Sequence, residues 1–108
     1  GGNGEYIGAP GKTLLHLIKG QTYRISFMSA GEGVKNRIRI MLKNANNMDL
    51  IYDSYEADNG WIHIGKEAKT YTRLYTHNAE SEMDVRLEFD VGSKEQVLYL
   101  DKVELIRN

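Results

Sequence analysis

GQTYRISFMSA at residues 20–30 and MDVRLEFDVG at residues 83–92 decide the fold, because in both stretches apolar and polar residues strictly alternate. Successive side chains of a β-strand point to opposite sides, so a period of two marks a strand with one dry face and one wet face. In the first stretch Tyr23, Ile25 and Phe27 fall on one side and Arg24, Ser26 and Met28 on the other. In the second, Val85, Leu87 and Phe89 oppose Arg86, Glu88 and Asp90. Two such strands closing one apolar core are expected to expose a sheet face lined with arginine and carboxylate. A third stretch, RIRIMLKN at residues 37–44, adds Arg37, Arg39 and Met41 to that face and sends Ile38, Ile40 and Leu42 inward.

Further strand-like segments run over Thr13 to Ile18, Leu50 to Tyr55, Trp61 to Ile64, Thr70 to Thr76 and Gln96 to Ile106, the last with a break near Asp101. Between them lie turn signals: Lys19-Gly20-Gln21, Gly31-Glu32-Gly33, Asn44-Ala45-Asn46-Asn47, Asp58-Asn59-Gly60, His77-Asn78-Ala79-Glu80 and Gly92-Ser93-Lys94. Short strands at this spacing, with no sustained 3.6-residue period, predict an all-β antiparallel β-sandwich or barrel without helix. Residues 47–55 fit worst, since Met48, Leu50 and Tyr52 compete with Ile51 and Tyr55 for the inward face. An irregular or edge strand is expected there. Residues 1–12 read as a loose or edge segment and 13–108 as the sandwich, with Tyr23, Phe27, Phe89 and Tyr99 in its core.

The chain has 108 residues, enough for one domain and one core. Its 14 basic and 15 acidic residues are well mixed, which leaves no electrostatic footprint for nucleic acid or an anionic membrane surface. The absence of cysteine removes disulfides, thiol nucleophiles and cysteine zinc sites together. No apolar run approaches membrane-spanning length and no signal peptide stands out. The stretch reads as a mature domain of a longer polypeptide.

Taken in order, GQTYRISFMSA, RIRIMLKN, KTYTRLYT, VRLEFDVG and VLYLDKVEL resemble the carbohydrate-binding modules grouped with families 4, 9, 16 and 22. The shared pattern is a Gly-x-Thr-Tyr turn and strand, an aromatic-rich strand, a Leu-x-Phe-x-x-Gly strand and a final apolar-Asp-x-Val-x-Leu strand, covering residues 14–106. That resemblance implies a jelly-roll sandwich that binds a β-linked polysaccharide on one sheet face, carries no catalytic activity, and serves an attached glycoside hydrolase in a secreted bacterial enzyme. Xylan and β-glucan are the glycans it implies. It also implies sugar contacts at Met28, Glu32 and Glu88, and at Asp101 a position that often ligates a structural calcium, with Glu5 as a substitute for the usual N-terminal ligand. Otherwise no cofactor is required. One departure stands out: members usually carry further strands before the Gly-x-Thr-Tyr turn, and only about twenty residues precede it here. Strands missing from that end would leave an open sheet edge, which invites self-association.

The residues themselves supply the chemistry a sugar surface needs. Arg24, Arg86 and Glu88 offer planar donors and carboxylate acceptors matched to hydroxyls that both give and take hydrogen bonds. Sugar rings also present C–H faces that pack on flat aromatics. Trp61 follows the Asp58-Asn59-Gly60 turn and is expected at the rim as a stacking platform, with Tyr52, Tyr55, Tyr71 and Tyr75 as further candidates. The histidines at 16, 63 and 77 lack the spacing of a zinc site. Glu32, Asp53, Glu56 and Glu88 could be drawn into a glycosidase pair, but an open sheet face neither raises the pKa of an acid nor excludes water. The bland alternative is a sandwich that packs against other proteins, its Arg and Glu residues being ordinary cross-strand pairs.

Overall fold

The computed structural model describes residues 5–7, 15–33, 35–79, 81–91 and 97–108, and the side chains of 5–7 and 97 lie outside that description. In chain order the elements are β1 (Glu5–Ile7), β2 (Leu15–Leu17), β3 (Thr22–Glu32), β4 (Arg37–Asn44), β5 (Leu50–Asp53), α1 (Ser54–Asp58), β6 (Ile62–His63), β7 (Lys69–Thr76), β8 (Met83–Asp90) and β9 (Val97–Arg107). Two antiparallel sheets form the sandwich. One has six strands in the order β1-β8-β4-β5, with β2 also on β8 and β6 also on β4, and the other is β7-β3-β9.

The Gly20-Gln21-Thr22-Tyr23 turn shows how sequence sets the entry to β3. Gly20 takes a positive φ of 84°, open to glycine at little cost, and its N–H donates to the His77 carbonyl at 2.7 Å. Gln21 N–H closes the turn on Ile18 O at 3.2 Å. Tyr23 is buried, and its hydroxyl accepts the Ile18 N–H at 2.8 Å, so the ring fills the core while its polar tip is satisfied locally. At the far end of β3, a Cβ on Gly31 would lie 2.6 Å from the Asn36 amide, whose Nδ2 donates to the Glu32 carbonyl. Only glycine admits that approach.

Tyr23, Ile25 and Phe27 of β3 meet Ile38, Ile40 and Leu42 of β4 and Val85, Leu87 and Phe89 of β8 in the core, all nearly or wholly buried. Each such side chain contributes about 1.5–3 kcal/mol of burial. Phe27 bridges the sheets, edge-on to Phe89 at 5.2 Å and stacked on Tyr71 at 5.4 Å. A second aromatic bridge joins Tyr52 to Tyr75 at 5.4 Å.

Three sequence expectations change. Residues 54–58 form a helix rather than the end of a strand: Asp53 caps it by accepting the Tyr55 N–H at 2.9 Å, and Asn59 closes it in the left-handed region at φ 63°. Tyr99 is exposed at 48% rather than core, because β9 carries a bulge opposite β3 between Ser26 and Met28. Lys102, at φ 50°, absorbs the extra residue, and the Asp101 carboxylate accepts its N–H at 2.8 Å. The bulge shifts the alternation by one, so Leu98 and Leu100 pack against the core with Leu105 while Tyr99 turns out. Finally, the stretch before the Gly-x-Thr-Tyr turn holds strand within the segment read as loose or edge. Glu5–Ile7 pairs with residues 88–90 of β8 and Leu15–Leu17 with residues 83–85, so two three-residue strands share its edge.

The irregularity expected at residues 47–55 lies in β5, whose register against β4 slips between Leu42 and Lys43. Ile51 and Tyr52 both pack on the core, and Leu50 stays half exposed. Of the other segments, Thr13, Glu80, Gln96 and the Gly92-Ser93-Lys94 turn lie outside the described residues.

Candidate functional site

The alternating residues do not share one wet face. β3 and β8 belong to opposite sheets, so Arg24 and Met28 look out from the three-stranded sheet while Arg86 and Glu88 look out from the six-stranded one, with the core between them. The sequence registers both alternations but not which sheet each strand joins.

On the six-stranded side, the β4–β8 register sets Arg39 opposite Asp90, Met41 opposite Glu88 and Lys43 opposite Arg86. This row is only partly wet. Met41 and Glu88 are buried at 5% and 3%, forming a floor beneath the longer arginines and lysine. Glu88 Oε1 is held by Lys43 Nζ at 3.1 Å. Asp53 Oδ2 binds Arg39 Nη2 at 3.3 Å while its other oxygen caps α1. Ser54, buried beside it, accepts the Ile40 N–H through Oγ at 2.8 Å. These bonds fasten the start of α1 to β4.

What α1 delivers is an aromatic corner. Tyr55, 40% exposed, meets Trp61 edge-on with centroids 5.7 Å apart. The Arg37 guanidinium lies 4.5 Å above the Trp61 ring, and that of Arg39 lies 5.9 Å from Tyr55. The corner therefore joins the row of forked donors at one end. At the other end the Asn44–Asn47 turn, closed by Met48 N–H to Asn44 O at 2.8 Å, places Met48 with φ 65° so that its sulfur accepts from Arg86 Nη1 at 3.7 Å. Met48 and Leu50 are both markedly exposed there. An extended surface results: aromatic at one end, polar along the middle, apolar and cationic at the other.

The remaining candidates sit elsewhere. Tyr52, Tyr71 and Tyr75 pack against the core between the sheets, and burial raises the hydroxyl pKa of Tyr52 and Tyr75 above the usual tyrosine range. Tyr75 donates to His77 Nδ1 at 2.9 Å, and the fully buried His77 donates from Nε2 to Ser81 O at 2.9 Å, a structural role. Glu32 is exposed at the end of β3, in the other sheet. Asp101 is exposed and engaged in its bulge. Among the described residues no three His, Asp or Glu side chains converge as metal ligands, and the Glu5 side chain lies outside the description. Sequence reasoning placed Arg37 and Arg39 on the wet face but did not see that they would lean on Trp61 and Tyr55; the helix that brings Tyr55 there was the missing link.

The outer face of the three-stranded sheet differs in kind. Arg24 stands between Leu74 and Ile106, which are 57% and 37% exposed, and Met28 between Thr70 and Asp101. Thr22 and Thr76 join through their hydroxyls at 2.8 Å.

No family model and no curated protein matches the chain. A solved chain described as "CBM4 structure and function", CBM4 being family 4 of the carbohydrate-binding modules, superposes with a TM-score of 0.69 at 21% identity over 88% of this chain. The chain spans 58% of that chain's length. At that identity the likeness shows the fold: an all-β jelly-roll sandwich of the type seen in family 4 carbohydrate-binding modules.

Proposed function

We propose that this domain is a non-catalytic carbohydrate-binding module that holds a β-linked polysaccharide, xylan or β-glucan, along the outer face of the six-stranded sheet. By doing so it keeps an attached glycoside hydrolase of a secreted enzyme at its substrate. The observation that carries this is the aromatic corner of Trp61 and Tyr55 set beside Arg37 and Arg39: a platform for sugar C–H faces next to donors for sugar hydroxyls. The jelly-roll likeness to a family 4 module supports the same reading. The carboxylates of this face point away from hydrolysis, since Glu88 is engaged by Lys43 and Asp53 by Arg39 and a helix cap. They stiffen the surface rather than flank a scissile bond.

Contacts on an open face are individually weak, so tethering raises the local concentration of an enzyme more than it tightens any single complex. Calorimetry with xylo- and gluco-oligosaccharides tests the proposal. Heat from at least one series, lost on Trp61→Ala with the fold intact, supports it, and silence from every glycan in the wild-type domain removes it.

A second reading has its own observation. Leu74, Tyr99 and Ile106 are exposed on the three-stranded side, and among the described residues β7 and β9 have no strand neighbour beyond β3. Apolar surface beside unpaired edges fits a contact with a neighbouring domain or a second copy. The two readings use opposite faces and are separable by mutation.

A further inference from the structure

The end of the six-stranded face remote from Trp61 carries a charge arrangement that a purely neutral ligand does not account for. Lys43 and Arg86 sit directly opposite each other on β4 and β8, a like-charge placement that disfavours the pairing of the strands. Two nearby carboxylates are committed elsewhere. Glu88 binds Lys43 at 3.1 Å, and Asp84, two residues before Arg86 on β8, binds His16 Nδ1 at 2.8 Å. Among the described residues, the one polar partner of Arg86 is the Met48 sulfur at 3.7 Å, a weak acceptor for a group with five donors. Its fork is therefore largely unspent. Beside it stand two exposed apolar side chains, Met48 at 42% and Leu50 at 50%, the first held in a left-handed backbone conformation that few methionines adopt.

We propose that this end of the face takes an anionic substituent of the glycan, a uronate carboxylate or a sulfate ester, on the Arg86 guanidinium, with Met48 and Leu50 against the C–H surface of the same sugar. The inference rests on the glycan reading above and deepens it. A guanidinium presents parallel N–H donors matched to two oxygens of one anion, which an ammonium cannot do, and Lys43 beside it is already paired with Glu88, so Arg86 supplies the contact. A uronic acid unit combines the two chemistries found here, an apolar ring face and a planar carboxylate. A neutral sugar would meet the same fork with hydroxyls alone, forming weaker bonds.

The test compares three probes on the whole domain by calorimetry at low and high salt: a neutral xylo-oligosaccharide, the same backbone bearing a glucuronic acid branch, and a sulfated oligosaccharide of similar length. The glucuronic acid chain should bind roughly 3- to 10-fold more tightly than the neutral one, the range between an exposed ion pair and a charge-assisted hydrogen bond. Raising salt should shrink that ratio. In Arg86→Gln the ratio should fall to near one, Arg86→Lys should retain part of it, and Arg107→Gln, a cation on β9 of the other sheet, should leave it as in wild type. A preference for the sulfated chain above both others supports the anion site and names its source as a sulfate ester. Equal binding of all three probes, or a preference that survives in Arg86→Gln, overturns this inference while leaving the glycan reading intact. Failure of the wild-type domain to bind any probe overturns both.

Discussion

The two outer faces of this sandwich come from strands with the same kind of alternation, yet they are built differently. On the six-stranded side, ion pairs at 3.1 and 3.3 Å lock long side chains over a buried Glu88 and Met41, and a capped five-residue helix adds Tyr55 beside Trp61. On the three-stranded side the residues around Arg24 are threonines and exposed aliphatics, and its bulge turns Tyr99 to solvent without a ring partner among the described residues. Alternation tells which residues leave the core. It does not tell what they meet once outside, which is set by the neighbours each sheet assigns and by the loops that fold over it. Preorganised polar rows with an aromatic end suit an extended ligand, whereas flat apolar surface beside free edges suits another protein.

The largest expected difference between the faces is in glycan affinity. Trp61→Ala should weaken binding by about 1–3 kcal/mol, roughly 5- to 150-fold, taking the stacking of bases on aromatics as the scale. Calorimetry on the folded variant checks it. Next comes Asp53→Ala, which removes the α1 cap and leaves Arg39 without its carboxylate. A loss of about 1–2 kcal/mol in unfolding free energy is expected by urea titration. Glycan affinity should fall with it, because Tyr55 is no longer fixed; a variant that loses stability but binds as tightly as wild type would separate the helix from the site. On the opposite face, Leu74→Ser and Tyr99→Ala should change glycan affinity by no more than about 0.5 kcal/mol. The same pair should reduce self-association in sedimentation if that face is the protein-contact surface, and a large effect on sugar binding instead would reverse the assignment of the two faces.

The smallest effect concerns the seam where β2 meets β8. His16 is raised above its ordinary pKa of 6.5 by its hydrogen bonds to Glu82 and then Asp84, at 2.9 and 2.8 Å. A group protonated more readily in the folded state stabilises that state fully below its unfolded pKa, and the benefit fades as pH rises through the folded value. Protection of the Leu15–Leu17 amides, corrected for intrinsic exchange, should therefore hold its full value below about pH 6.5 and decline slightly as pH rises above it. In His16→Gln that trend should vanish; a decline of the same size in the variant would assign it to another group.

Much of the fold was legible because β3, β4 and β8 declare their inward rows without ambiguity. Less was legible where one residue breaks a period. The bulge at Lys102 inverted the expected burial of Tyr99, although the break near Asp101 was readable, because a sequence does not show which side of a break keeps its phase. The α1 helix is too short for a 3.6-residue period to emerge, and its signal was the cap, Asp53 before Ser54 with Asn59-Gly60 after it. Tyr52, Tyr71 and Tyr75 read as platforms or as core with equal ease, since a tyrosine serves both. Their place became clear only when the two sheets were set against each other: Tyr71 stacks on Phe27 within its own sheet, and Tyr52 and Tyr75 bridge the two. The separation of Arg24 from Arg86 follows from strand order, a long-range property that no local pattern encodes.

An NMR titration of the isotopically labelled domain with a xylo-oligosaccharide tests the central claim most directly, because it reports both faces in one experiment. Saturable shifts at the Trp61 indole N–H and the amides of Arg39, Tyr55 and Arg86, with Leu74, Tyr99 and Ile106 unmoved, are the predicted result. Shifts confined to the three-stranded side, or a spectrum unchanged by xylan and β-glucan oligosaccharides alike, would contradict it.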